Sequence, residues 1–331
     1  MAVVVTGAHG FVGLNVVRHL AASGVDTIAV GRSAPDRWVA AFLEDEASRV
    51  THVRADLSVP GELRNAVGDA AVQSVIHAAV VTATTPQVER EDALRIVSVN
   101  VGGTMGGLDL ARSCGAQRFV YVSSPSAIGY VSSGSLVDES VPKRPDSLYG
   151  ITKDASEELV RRYGKIHDLS VASVRIAQPY GPGERATSSR LRTSPIYEWM
   201  LAAGRGERLV TGAPVRGRDW TYIDDTARGL ATVALADDLQ HDLYHLARSE
   251  RVTIAAVIAE IRKEMRIALD SDKDHPDLNP NISGPADRRP LDTSRFREEF
   301  GWAPEIDIEE GMARYIAWWK TFEPASYLQA G

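Results

Sequence analysis

The sequence predicts an α/β fold: a doubly wound parallel sheet with a smaller C-terminal α/β lobe. Three observations predict it. Short β-branched runs alternate with amphipathic helical stretches through the first half, the pattern of parallel strands joined by right-handed crossovers. Those strands are continuously apolar, as in a sheet covered on both faces. A glycine-rich turn stands between the first strand and the first helix, where such sheets hold phosphate groups.

Ala2-Val3-Val4-Val5-Thr6 is the first strand, and Phe11 to Ala22 the first helix, with Leu14, Val17 and Leu20 on one face. Further strands follow at Thr27-Ile28-Ala29-Val30, Val50-Thr51-His52-Val53, Ser74-Val75-Ile76-His77, Phe119-Val120-Tyr121-Val122 and Val171–Ile176. Between them a long helix is expected over Arg90–Cys114 and another over Tyr149–His167. The second half is less regular. Pro195–Ala203, Asp225–Ala236, Thr293–Phe300 and Glu309–Phe322 read as helices, and Thr253–Ile267 is amphipathic, with Ile254, Val257, Ile258 and Ile261 on one stripe. Arg185–Ser194 is polar and reads as a surface loop or lid. Ser271–Leu291 carries Pro276, Pro280, Pro285 and Pro290 and reads as an extended loop.

The chain has 331 residues and a formal charge of −7. At ~150 residues per domain this gives about two domains, placed at 1–176 and 177–331 with an approximate boundary that segments can cross. The acidic balance argues against nucleic acid as a partner. No apolar run reaches the ~18 residues of a membrane span, and no signal-peptide pattern opens the chain. The single cysteine, Cys114, excludes an internal disulfide and suits a reducing cytoplasm. No cluster of ligands points to a metal.

The first turn reads Thr6-Gly7-Ala8-His9-Gly10-Phe11-Val12-Gly13. Glycines there allow a tight turn and a close backbone approach, and the free N–H groups at the helix start favour a pyrophosphate. Gly7, His9, Gly10, Phe11, Val12 and Gly13 are therefore candidate dinucleotide contacts on a Rossmann-type sheet. The end of the second strand usually carries an acid that binds the ribose 2′-hydroxyl of NAD. Here Gly31 stands in that place and Arg32 follows. An arginine pairs with a 2′-phosphate, so NADP is favoured over NAD as the cofactor.

The G-x-x-G-x-x-G spacing resembles the short-chain dehydrogenase/reductase superfamily, and in particular its extended branch, the NAD-dependent epimerase/dehydratase family. Further segments match in order. Asp56 and Leu57 resemble the segment flanking the adenine. Ala78, Ala79 and Val80 resemble the fourth-strand end that lines the cofactor, and Asn100 belongs to a VNxxGT-like helix.

Tyr149-Gly150-Ile151-Thr152-Lys153 carries the chemistry. Tyrosine and lysine at i and i+4 share one helix face. A free tyrosine, with pKa ~10, is a poor base at neutral pH; a nearby cation favours the phenolate. Tyr149 is then the acid/base of a hydride transfer, and Lys153 tunes it and binds the nicotinamide ribose, as the resemblance implies. The hydroxyl that polarises the substrate oxygen comes from Ser123-Ser124-Pro125-Ser126. Sugar-nucleotide epimerases place it where Pro125 stands here; sugar-acid dehydrogenases of the same branch use the second serine of a similar run. Ser124 is the candidate catalytic residue, and Ser126 the reserve.

Val174–Gly183 resembles the family's RxxNVYGPG segment, with Gln178 replacing the asparagine that meets a sugar-nucleotide diphosphate. Arg218–Ala227 resembles RDFxYVxDxA, whose arginine holds a substrate phosphate, and Asp287-Arg288-Arg289 resembles the DRR segment of sugar-nucleotide dehydratases. Ser126, Gln178, Arg218 and Arg288 are therefore candidate substrate contacts, with Arg185, Arg190 and Arg192 as further anion partners. The Asp-Glu pair of dehydratases is absent, Ser126-Ala127 standing in its place, which argues against dehydration.

The resulting expectation is an NAD(P)-dependent epimerase or reductase acting on a carbinol or carbonyl carbon of a sugar nucleotide or sugar-like substrate. A net dehydrogenase or reductase of a free sugar, sugar acid or other small carbonyl compound is the first alternative. A non-catalytic NADP-binding regulator is the second. The family resemblance also implies a homodimer formed through the Arg90–Cys114 and Tyr149–His167 helices.

Overall fold

The computed structural model describes residues 1–82, 86–131, 136–187, 193–210, 215–265, 267–270 and 288–322. The six apolar runs of the first half are strands β1 (Ala2–Thr6), β2 (Thr27–Gly31), β3 (Val50–Arg54), β4 (Val72–His77), β5 (Arg118–Ser123) and β6 (Ser170–Ile176). They pair in parallel in the order β6-β5-β4-β1-β2-β3. The chain changes direction between β1 and β4, and the crevice outside the carboxyl ends of those two strands is where doubly wound sheets bind ligands. The fold expected from the sequence is the fold observed.

Helices cover both faces. α1 (Phe11–Ala22) buries Leu14, Val17 and Leu20, the face expected from their spacing. α2 (Arg37–Phe42) caps itself through Asp36, whose carboxylate accepts from Val39 N at 2.8 Å. α3 (Glu62–Val67) follows β3. Neither α2 nor α3 is among the expected helices, each being only six residues long. The long helix expected over Arg90–Cys114 is corrected. It divides into α4 (Pro86–Val97), a wider π turn at Ser98–Gly102, and α5 (Gly103–Ser113). The reason lies in Asn100, which is buried in the π turn. Its side chain accepts from Val81 N (2.8 Å) and donates to Val81 O (3.1 Å) and Thr152 Oγ1 (3.1 Å). π bulges of this kind concentrate at functional sites. α6 (Leu148–His167) is capped by Ser147, whose hydroxyl accepts from Gly150 N at 3.2 Å.

The second half adds β7 (Gln178–Tyr180), α7 (Pro195–Gly204), β8 (Arg208–Val210), β9 (Gly217–Tyr222), α8 (Ile223–Leu235), β10 (Leu243–Leu246), β11 (Arg251–Thr253), α9 (Ile254–Glu264), β12 (Ala268–Asp270), α10 (Ser294–Phe300) and α11 (Ile308–Phe322). β10 comes from beyond residue 176, yet it pairs in parallel with β6, Tyr244 opposite Val174, and makes the sheet seven-stranded. α8 packs on the same face as α1, burying Leu230 and Val233 with Leu14 and Val17. The remaining strands form two small sheets, β11-β9-β7 and β12-β8. A second core of Trp199, Trp220, Ile258 and Tyr315 holds this lobe, and Ile254, Val257, Ile258 and Ile261 of α9 are all buried in it. Burying such a side chain contributes about 1.5–3 kcal/mol. Residues 188–192 and 271–287, which include the expected anion partners Arg190 and Arg192, Asp287 and most of the proline-rich loop, lie outside the described residues. No helix among the described residues is long and apolar enough to cross a membrane.

Candidate active site

The glycine turn is built by close approach. Gly7 has φ +67°, and a Cβ there would stand 2.7 Å from Ala79 Cα, so the turn after β1 lies directly on the end of β4. A Cβ on Gly13 would stand 2.3 Å from Gly7 O, which seats the first turn of α1 on the same loop. Gly10 caps α1 without a side-chain bond, and no acidic residue occupies the first turn. The N–H groups of Phe11, Val12 and Gly13 thus open a helix whose positive end carries no anion of its own, as a dinucleotide pyrophosphate requires. Ala78, Ala79 and Val80 continue from β4 into the same crevice, with Ala78 N donating to Thr6 O at 3.2 Å. These residues fit a dinucleotide. Asp56 follows β3; one of its oxygens accepts from Ser58 N (2.9 Å) and Ser58 Oγ (2.6 Å), which lowers its pKa. Leu57 packs against Gly103. Arg32 is exposed just beyond β2, and its charge acts on Asp56. Asn100 is placed as a brace between the β4 end and α6 rather than as an open surface group.

Tyr149 and Lys153 sit in the first turns of α6, which faces the end of β5. A Cβ on Gly150 would stand 2.5 Å from Ser126 O. The glycine therefore lets the start of α6 rest on the Ser124–Ser126 turn, while the Tyr149 ring packs against Val81 and Ile96. Lys153 is buried. Its Nζ donates to Val122 O at 2.7 Å and lies 4.6 Å from the Tyr121 ring and 5.8 Å from the Tyr149 ring. Burial pulls its pKa down to about 7, and the negative charge of Glu157 opposes that pull.

The three serines separate. Ser123 Oγ is buried and donates to Glu157 Oε1 at 2.6 Å. Ser124 Oγ accepts from Ser126 N at 3.2 Å and caps the short 3₁₀ turn Pro125–Ala127. Ser126 Oγ lies 3.5 Å from Arg288 Nη1. Arg288 is largely buried, and the Tyr149 side chain lies within its electrostatic reach. Arg218 Nη1 donates to Gln178 Oε1 at 3.0 Å, so the two substrate candidates are joined across β9 and β7. A cleft lined by Pro195, Trp199, Arg216 and Trp220 opens at Arg218, and another lined by Pro125, Ile128 and Tyr130 opens at Arg288. Arg185 is held elsewhere: it pairs with Asp36 at 2.7 Å and lies 4.5 Å over the Trp38 ring.

Of the charges beneath this site, Glu157 and His245 belong to none of the motifs read from the sequence, and Arg175 is the arginine of the RxxN-like segment, to which the sequence assigns no role. Glu157 accepts from Arg175 Nε (2.8 Å) and Nη2 (2.7 Å), and Arg175 Nη1 stands 3.3 Å from His245 Nε2 of β10. Glu157 and Arg175 are both buried. Two signals could have found them. Glu157 continues the i, i+4 row of Tyr149 and Lys153, and Arg175 is a charge inside an otherwise apolar strand, which requires a partner.

A Rossmann sheet carrying a glycine cradle, a Tyr-Lys pair on the following helix and a second lobe at the carboxyl ends defines an extended short-chain dehydrogenase/reductase. The family described as NAD dependent epimerase/dehydratase matches residues 3–247, and the chain belongs to that family. It is 24% identical over 323 residues to the UDP-glucose 4-epimerase of Mycolicibacterium smegmatis, covering 97% of this chain and 99% of the relative. It is 27% identical over 338 residues to the dTDP-glucose 4,6-dehydratase of Streptomyces griseus, covering 98% of each. The solved structure of MoeE5 in complex with UDP-glucuronic acid and NAD is 25% identical, with a TM-score of 0.79 over 97% of this chain and 99% of that one. The UDP-glucose 4-epimerase of Thermus thermophilus in complex with NAD has a TM-score of 0.80 at 24% identity, over 98% of this chain and 100% of that one.

Proposed function

We propose that the protein transfers hydride between a nicotinamide dinucleotide and a carbinol or carbonyl carbon of a sugar nucleotide, as an epimerase or reductase. The observation that supports this best is the start of α6 seated on the serine turn, with the buried Lys153 Nζ 5.8 Å from the Tyr149 ring and Arg288 within electrostatic reach of Tyr149. A bound dinucleotide supplies the hydride acceptor and donor. Tyr149 takes the carbinol proton on oxidation and returns it on reduction. Lys153, anchored by the Val122 carbonyl, holds positive charge beside the phenolate. Ser124 hydrogen-bonds the substrate oxygen as its charge changes. Arg218 and Arg288 hold the phosphates. In an epimerase the oxidised sugar turns over before Tyr149 gives the proton back, with no net redox.

Net oxidation or reduction of a free sugar or sugar acid is the second reading. Two observations favour it: Pro125 stands where epimerases carry a hydroxyl, and Gln178 is already engaged by Arg218. Arg32, with no acid at position 31, supports NADP as the cofactor. Leu94 and Val97 of α4 and Ile151 of α6 are exposed and support a homodimer through these helices, which sedimentation of wild type and Leu94→Asp tests. Purified protein incubated with UDP-sugars and either dinucleotide decides the reaction. Epimer formation without absorbance change at 340 nm supports the first reading; absorbance change with a free sugar supports the second. Tight dinucleotide binding without turnover of any carbinol overturns both and leaves a regulator.

A further inference from the structure

Beside the glycine turn stands a histidine pair that the hydride chemistry does not use. The ring of His9 lies against Gly31: a Cβ at position 31 would stand 2.4 Å from His9 Nδ1 and 2.5 Å from Cε1. This is the end of β2, where dinucleotide-binding sheets carry the acid that takes the ribose 2′-hydroxyl. The acid is therefore not merely missing. The space its side chain would leave through is filled by an imidazole. His9 Nε2 lies 3.3 Å from Nδ1 of His52, which projects from β3, the edge strand of the sheet. An acceptor anion has been replaced by two side chains that donate hydrogen bonds and can carry positive charge.

Resting on the dinucleotide reading above, we propose that His9 and His52, together with Arg32, form the seat of a phosphomonoester on the ribose 2′-oxygen. Binding of that phosphate is coupled to proton uptake by the pair. The charged groups facing His9 are His52 from β3, Asp36 from the turn before α2, and Arg185 from the loop after β7. Asp36 and Arg185 neutralise one another in their ion pair. Arg32 is set against Asp56. Burial first, then the charges of His52 and Arg185, bring His9 down to about 4; burial lowers His52 as well. Both rings are thus neutral near pH 7 without ligand. A phosphate dianion within hydrogen-bond reach favours the imidazolium, so binding raises these pKa values and takes up a proton. Affinity for the 2′-phosphorylated form then rises as pH falls, down to the second ionisation of the phosphate at ~6.

Calorimetric titration of the full chain with NADPH and with NADH, at pH 7.5 in two buffers of different ionisation enthalpy, tests this directly. The expected result is proton uptake with NADPH and none with NADH. With its second ionisation at ~6, the phosphate is already almost wholly dianionic at this pH, so a seat that holds it without protonating would take up no protons. His52→Gln, on an exposed edge strand, is expected to abolish the uptake and lower the NADPH:NADH affinity ratio about tenfold, the loss of one charge-assisted hydrogen bond. The double variant His9→Ala/Gly31→Asp clears the ring and restores the acid, and is expected to shift preference to NADH. Equal binding of the two dinucleotides, or NADPH binding without proton uptake, overturns the histidine seat while the dinucleotide reading stands. Binding of neither overturns the dinucleotide reading itself.

Discussion

The two regions that carry the candidate residues are held by different means. On the α6 side, the reactive groups rest on buried charge: Lys153 on the Val122 carbonyl, Glu157 below it, and Arg175 and His245 below that. On the side of the second lobe, Arg218 reaches Gln178 and Arg288 reaches Ser126 from strands and loops of a smaller core. The first arrangement is preorganised, and a change to its buried charges is felt by the fold as well as by the chemistry. The second reads as a set of ligand contacts resting on a scaffold that survives without them. Variants on the two sides should therefore fail differently: on the α6 side in kcat, and in stability too where a buried charge is touched, on the lobe side in KM.

The sharpest break is Tyr149→Phe. It removes only a hydroxyl, so folding should be intact while kcat falls about 10²–10⁴-fold, the range of a lost general acid/base. Dinucleotide affinity measured alongside should be nearly unchanged. A variant with wild-type turnover would move the chemistry off α6.

Glu157→Gln comes next. It leaves the Arg175 guanidinium buried without its counter-charge, which costs about 3–5 kcal/mol. Thermal or urea unfolding measures the loss, and Glu157→Gln/Arg175→Met should recover most of it. The same substitution removes the charge that keeps the Lys153 pKa up, so the alkaline limb of the pH–rate profile should shift to lower pH. Purely structural damage would lower the rate without moving the limb. Lys153 itself has a folded pKa of about 7 against an ordinary value of 10.5. Between those values the unfolded chain binds more protons, so stability rises with pH there, and Lys153→Met should flatten that rise.

This contrast also explains what was legible in the sequence. Most strands of the first half were readable because a sheet buried on both faces needs unbroken apolar runs, and Val3, Val4 and Val5 supply one; the exposed edge strand β3 was readable from its β-branched Val50, Thr51 and Val53 alone. The Tyr149–Lys153 pair was readable because helix geometry alone puts i and i+4 on one face. β7, β9 and β10 were not. They are three to six residues long and carry Gln178, Arg218, Asp219 and His245, whose polarity is satisfied only by partners far along the chain. Asp219 shows this: its Oδ2 accepts from Ser249 N and Leu291 N, each at 3.2 Å, and burial still raises its pKa to about 7. Asn100 misled in the opposite direction. Its helical surroundings predicted a continuous helix, and the demand of Val81 for a hydrogen-bond partner opened a π turn instead.

Gly7→Ala tests whether the cradle depends on backbone alone. The residue has φ +67° and a neighbour 2.7 Å from the added Cβ. The conformation costs about 1–2 kcal/mol for any residue with a Cβ, and the clash adds to it. A lowered Tm together with weakened NADH and NADPH binding is expected. Unchanged binding would show that the dinucleotide does not use this turn.

The smallest effect, and the one that tests the comparison most directly, is Arg218→Ala. The residue is half-buried, and its guanidinium donates to the neutral amide of Gln178, at the mouth of a cleft that water can enter once the side chain is shortened. Stability should change by less than about 1 kcal/mol, as for sites without buried charge or cavity formation. A phosphate held by this arginine contributes through a charge-assisted bond of about 1.5–3 kcal/mol, equally in the ground and transition states. Removing such uniform binding raises KM about 10–100-fold and leaves kcat in place. Arg218→Lys keeps the charge but not the fork and should recover only part of the loss. If Arg218→Ala instead lowers kcat at unchanged KM, the arginine acts on the transition state. The lobe would then belong to the catalytic machinery, and the division between a preorganised chemical side and a ligand-gathering side would be wrong.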